Sequence, residues 1–151
     1  MTRTLIVLAT LFVPSAATNG GEPLLEKTDL FEANTGGYAH YRIPGLVVTK
    51  RGTLLAYCEA RKSTKSDWGT IDIVLRRSTD GGKPWGPPRK VVTPPNDVTK
   101  NPVALAQNLA RPGEVTLNNP VAIPDHQTGA VHFLYCVEYA RCFYQRSDDD
   151  G

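Results

Sequence analysis

Short apolar runs broken by clusters of Gly, Pro, Asn and Asp set the rhythm of this chain, and each run has the length of a strand. Residues 42–49 read as a first strand, closed by the turn Lys50-Arg51-Gly52. Residues 53–60, rich in Leu, Tyr and Cys, read as a second, and residues 61–70 as a polar loop. In residues 71–77 Ile71, Ile73 and Leu75 alternate with Asp72, Val74 and Arg76, which predicts a third strand. A tight turn leads to a short fourth strand at residues 89–93. The irregular stretch 94–118, interrupted by Pro94, Pro95, Pro102 and Pro112, has room for one helical turn at residues 104–109. Strands then recur at 119–124, 131–137 and 142–146. Ahead of the regular pattern, Leu30 to Ala33 suggests a short strand and Asn34 to Gly37 a turn.

The expected fold class is therefore all-β, with antiparallel sheets of the size of β-propeller blades. One complete four-stranded blade should occupy about residues 42–93, and a partial second, lacking its last strand, about residues 119–151.

Composition narrows the class. The 13 Gly and 12 Pro suit a turn-rich β chain. A net charge of +2, with no dense Lys/Arg run, argues against a nucleic-acid partner. Residues 1–17 have the form of a secretory signal: Arg3, an apolar run from Leu5 to Val13, then Ser15-Ala16-Ala17. That run is too short to span a bilayer, so no membrane span is expected and the chain reads as secreted or periplasmic. Three cysteines make a poor disulfide framework. Cys58 reads as a buried small hydrophobe, and Cys136 with Cys142 as a possible cross-strand pair. No Cys/His spacing suggests zinc, and no cofactor is implied.

Strand direction sorts the chemistry. In an up-and-down blade the start of the first strand and the end of the second share a face, and the turn between the third and fourth lies opposite. Arg42, Arg61 and Asp67 therefore fall on one face, joined by parity by Asn118, Asn119 and the loop 138–141. Each has a plain alternative: Arg42 can pair with a surface carboxylate such as Glu59, and Asp67 can pair with Arg61 or cap the turn at Trp68-Gly69. The opposite face holds Ser78, Asp80, Gly82 and Trp85, an S-x-D-x-G-x-x-W pattern, and Ser147, Asp149 and Gly151 repeat its first half. Ser and Asp in such a pattern bond the turn backbone, so the reading there is structural.

The segments Tyr41-Arg42-Ile43-Pro44, Glu59-Ala60-Arg61 and Ser66-Asp67-Trp68-Gly69, followed by these two Asp boxes, resemble the N-terminal part of the sialidase (neuraminidase) family. The likeness covers residues 28–151 and includes Asn119-Pro120. It implies a fragment of a six-bladed propeller, from an exo-α-sialidase that releases terminal sialic acid from glycoconjugates with retention. Sialylated glycans would be its partners. On that reading Arg42 is one of three arginines that clamp the sugar carboxylate, a bidentate task that Lys does not replace. Arg61 shapes the pocket, Asn119 touches the substrate, and Asp67 is the general acid/base, with a pKa above the usual aspartate value. The family's nucleophile is a Tyr activated by a Glu. That pair and the remaining arginines belong to later blades, so the chain alone is expected to be inactive. Residues 28–33 are expected to be poorly packed and the 94–118 connection to be mobile. Two alternatives remain: another Asp-box propeller glycoside hydrolase, or a non-catalytic glycan-binding module.

Overall fold

The computed structural model describes residues 25–63 and 66–151. The expected signal segment, residues 1–17, lies outside the described residues. Two antiparallel sheets follow one another along the chain. The first has the order β1 (His40–Val48), β2 (Leu54–Arg61), β3 (Ile71–Ser78), β4 (Arg89–Lys90). The second contains β5 (Leu117–Pro124), β6 (Val131–Val137) and β7 (Arg141–Ser147). The expected full blade and three-stranded partial blade are both present.

β4 is shorter than the expected 89–93. Pro87 and Pro88 carry no N–H to donate, so pairing with β3 begins at Arg89 as expected, and the strand is cut short at its far end. Val91 adds one further bond, from its N–H to the Ile73 carbonyl at 3.0 Å.

The first strands of the two sheets share one irregularity. In β1 the register slips between Arg42 and Gly45, which face Glu59 and Tyr57. In β5 it slips in the same way between Asn118 and Val121, which face Cys136 and Leu134. Each slip is a bulge of one extra residue. The residue before each proline, Ile43 and Asn119, has φ of 53°. A left-handed conformation is uncommon outside glycine and strained for a β-branched residue, so the Ile43 bulge is held by its surroundings. Gly45 shows how: a Cβ there would sit 2.2 Å from the Tyr57 ring. The ring crosses β1 at that point, and its hydroxyl accepts the Ala122 N–H from the second sheet at 3.0 Å.

The main core lies between the sheets. Leu55, Tyr57, Ile73 and Leu75 meet Leu117, Val131, Phe133, Tyr135 and Val137. A smaller cluster of Cys58, Ala60 and Val74 fills the far side of the first sheet. Phe31, Tyr38 and Tyr41 pack against it, but of residues 28–33 only Leu30 and Phe31 are partly buried and the other four are exposed. Leu30 to Ala33 form no strand, but the Leu30 carbonyl accepts from Arg76 at 2.7 Å. The apolar outer face of β2 and β3 gives Phe31 somewhere to go.

The connection between the sheets holds one short helix, α1 (Pro102–Ala106), a little earlier than the expected 104–109. Asn101 sets that start by accepting the N–H groups of Val103 and Ala104 at 3.0 and 3.3 Å, and Pro102 stands where no donor is required. The connection is tied down rather than loose: Lys100 pairs with buried Glu138 at 2.9 Å, and the Asn101 amide reaches the Glu138 carbonyl at 3.2 Å.

The two Ser-x-Asp turns sit at the same end of their sheets and share one hydrogen-bond pattern. Ser78 donates to Asp80 at 2.7 Å and accepts the Gly82 N–H at 2.9 Å. Ser147 donates to Asp149 at 2.6 Å and accepts the Gly151 N–H at 2.8 Å. The second turn also locks the sheets together. Thr53 donates to the Asp150 carboxylate, and Arg89 donates to the Gly151 carbonyl.

Candidate active site

At the opposite end of the sheets, β1, β2 and the loop after β2 bring Arg42, Arg61 and Asp67 together. One oxygen of Asp67, Oδ1, accepts from Arg42 at 2.7 Å and from Arg61 at 2.5 Å. The two arginines differ in freedom. Arg61 is buried, and its Nε and Nη2 donate to Glu59 Oε2 at 3.0 and 2.5 Å. Glu59 is fully buried and accepts the Asn119 N–H on its other oxygen at 2.9 Å. Arg42 and Asp67 are open to solvent, with half or more of each side chain exposed. The cluster is thus a buried, fixed ion pair carrying an exposed and mobile-headed one.

The plain reading of Arg42 as partner of Glu59 does not hold. The two face each other across β1 and β2, but Glu59 is taken by Arg61, and Arg42 turns to Asp67. Asn119 is exposed, and its backbone N–H, not its side chain, is what ties it to the cluster. Ser78, Asp80, Gly82 and Trp85 lie at the far end of the blade, as strand parity requires, and so do Ser147, Asp149 and Gly151.

Electrostatics runs against one expectation. The Asp67 carboxyl lies below its ordinary pKa, chiefly because Arg61 hydrogen-bonds it, with the charges of Arg61 and Arg42 adding to the effect. The sequence reading required a value above the ordinary one. Burial works against the charge of Arg61, but its bonds to Asp67 and Glu59 more than offset this and hold its pKa up.

The second sheet contributes a residue that sequence reasoning placed only by parity. Tyr139 sits at the tip of the turn joining β6 and β7, where Glu138 and Tyr139 both have left-handed φ, 57° and 50°. Its hydroxyl donates to the Asp67 backbone carbonyl at 3.1 Å, and its ring packs on Trp68 with centroids 4.9 Å apart. Burial, then the charge of Glu59, raise its phenol pKa. Thr116 completes the latch by bonding both the N–H and the carbonyl of Gly69, at 3.2 and 2.8 Å. The Asp67 loop is thereby pinned from the second sheet. A cleft of about 490 Å³ has Arg42, Tyr41 and Tyr57 in its wall but not Arg61 or Asp67. Among the described residues no group of His, Cys, Asp and Glu could hold a metal ion. No helix among them is long and apolar enough to cross a membrane.

The two antiparallel sheets, of four and three strands, are those of part of a β-propeller, with two arginines and a carboxylate gathered at one end, and comparison with known proteins is more specific. No protein-family model matches the chain. A sialidase from Micromonospora viridifaciens is 46% identical over 67 residues, 44% of this chain and 10% of that protein. An exo-alpha-sialidase from Aspergillus fumigatus is 32% identical over 108 residues, 58% of this chain and 27% of that protein. A solved structure of a Hadza microbial sialidase superposes with a TM-score of 0.62 at 26% identity, over 80% of this chain and 26% of that one. The chain is similar to sialidases and spans between 10% and 27% of the length of these proteins.

Proposed function

We propose that these two blades form the acid/base and first-arginine side of an exo-α-sialidase site, acting on terminal sialic acids of glycoconjugates. The observation that carries this reading is the convergence of Arg42 and Arg61 on one oxygen of Asp67. Arg42, exposed and fork-shaped, is suited to clamp a sugar carboxylate. Arg61, fixed by Glu59, orients the loop that presents Asp67. Asp67 protonates the leaving oxygen and later activates water, the two halves of a retaining mechanism. Its two guanidinium partners, Arg61 above all, favour the ionised form of Asp67. An anionic sugar offers Arg42 a second acceptor, which weakens the smaller of these two contributions while that of Arg61 stays. The two Ser-x-Asp turns serve as structural Asp boxes.

Retention also needs a nucleophile on the other face of the sugar. Tyr139 does not fill that role: its pKa is raised and its hydroxyl donates to the Asp67 carbonyl. The chain alone is therefore expected to turn over no sialoside. The check is a fluorogenic sialoside assay on the 151-residue chain. Turnover that disappears in Asp67→Ala would contradict the half-site assignment. Within a complete propeller the same substitution should cut hydrolysis of natural sialosides by about 10²–10⁴-fold, and aryl sialosides less, because their leaving groups need less protonation.

The depressed pKa of Asp67 and the partly exposed Trp68–Tyr139 ring pair favour one second reading, a glycan-binding module without catalysis. It predicts that a complete propeller binds sialosides without turning them over, whereas the sialidase reading predicts turnover that Asp67→Asn loses while binding is kept.

A further inference from the structure

The turn that carries Tyr139 to the Asp67 loop is flanked by two cysteines. Cys136 in β6 and Cys142 in β7 are directly opposed in the antiparallel register, between the pairs Tyr135–Phe143 and Val137–Arg141. Directly opposed residues of such a ladder have Cα atoms about 4.5–5.5 Å apart and side chains on the same face. That spacing falls inside the window of about 4.4–6.8 Å that a disulfide accepts. Burial, then the neighbouring Cys142 sulfur, raise the Cys136 pKa. Cys142 is exposed and Cys136 half-buried, so an oxidant can reach the pair. Cys58 offers no competition: it is buried in the first sheet, its thiol pushed up to about 12, chiefly by burial.

We propose that Cys136 and Cys142 form a cross-strand disulfide that staples the β6–β7 turn and so fixes Tyr139 against the Asp67 loop. The oxidant is a low-molecular-weight disulfide such as oxidised glutathione. The exposed Cys142 thiol loses its proton and attacks one glutathione sulfur, releasing the first reduced glutathione and leaving a mixed disulfide. The Cys136 thiolate then attacks the Cys142 sulfur and releases the second. Two protein thiols are oxidised and one glutathione disulfide is reduced, and the two protons end on the two glutathione thiols released. The bridge closes a ring around Glu138 and Tyr139, whose left-handed backbones are costly to hold in a free turn.

The proposal does not depend on the sialidase reading, and its test needs no activity. The folded chain is equilibrated with a glutathione redox couple, quenched with acid, unfolded, alkylated and weighed. The expected product is monomeric and carries one alkyl group in place of three, on a polypeptide about two mass units lighter for the two hydrogens lost. Tryptic cleavage after Arg141 without reduction should give peptide 142–146 joined to the peptide holding Cys136. Cys58→Ser should keep this cross-link, and Cys142→Ser should abolish it. The oxidised chain should also slow hydrogen exchange at Ala140, whose N–H donates to Val137 at 3.1 Å. Three free thiols under excess oxidised glutathione, a stable glutathione adduct on Cys142, or a reducible dimer would each overturn the proposal. So would a bridge that Cys58→Ser removes.

Discussion

A carboxylate that accepts from two guanidinium groups gives up its charge reluctantly, and that sets the acid behaviour of this end of the molecule. The folded-state pKa of Asp67 lies below its unfolded value, so its contribution to stability is fully present above the unfolded value. It is lost as pH falls through the folded value. The stability difference between the wild type and Asp67→Asn should therefore be flat from neutral pH to about pH 4 and shrink below it. Urea unfolding at stepped pH measures this, and a difference that widens in acid would contradict it. Glu59 is the residue whose loss should cost most. It is fully buried and satisfies both Arg61 and the Asn119 N–H. Glu59→Ala should destabilise by about 3–5 kcal/mol, because it strands a buried charge. Arg42→Lys, by contrast, should leave stability within about 0.5 kcal/mol, since the pair it makes with Asp67 is exposed. Its effect should show in ligand binding, where the fork is needed.

At the level of the elements, the strands and their order were legible because apolar positions alternate and turn residues punctuate them. The grouping of Arg42, Arg61 and Asp67 was legible for the same reason, since strand direction alone assigns each to an end. Three things were not legible. A residue before proline normally reads as extended, so nothing in Ile43-Pro44 or Asn119-Pro120 announced a left-handed bulge. Glu59 lies in an apolar strand, and its role depends on Arg61 and Asn119 arriving from two different elements. The pKa direction of Asp67 depends on which arginine reaches it, a matter of side-chain geometry rather than spacing. The bulge also yields a prediction. Gly45→Ala would force a Cβ into the Tyr57 ring, whose hydroxyl bridges to the second sheet. It should destabilise by about 1–3 kcal/mol. Thermal melting would show this, and an unchanged midpoint would mean that the ring can move aside.

For the molecule as a whole, the cores hold the sheets together while their outer strands remain exposed. Leu46 on β1 is 60% exposed, and Ile43, Val48, Val121 and Ile123 are all exposed in part. An edge strand with apolar side chains is a template for further pairing. The isolated chain should therefore self-associate with rising concentration. Leu46→Lys should suppress this, as read by light scattering, with little change in the melting midpoint. A wild type that stays monomeric at high concentration would count against that expectation.

The central claim is that the Arg42–Asp67–Arg61 end recognises a sialoside, and backbone and guanidinium NMR of the isotope-labelled chain titrated with sialyllactose tests it most directly. The account predicts weak, saturable shifts at Arg42, Asp67, Trp68 and Tyr139, absent with lactose and lost in Arg42→Ala, while the Asp80 and Asp149 turns stay still. Equal shifts with lactose, or shifts confined to the Asp80 end, would contradict it.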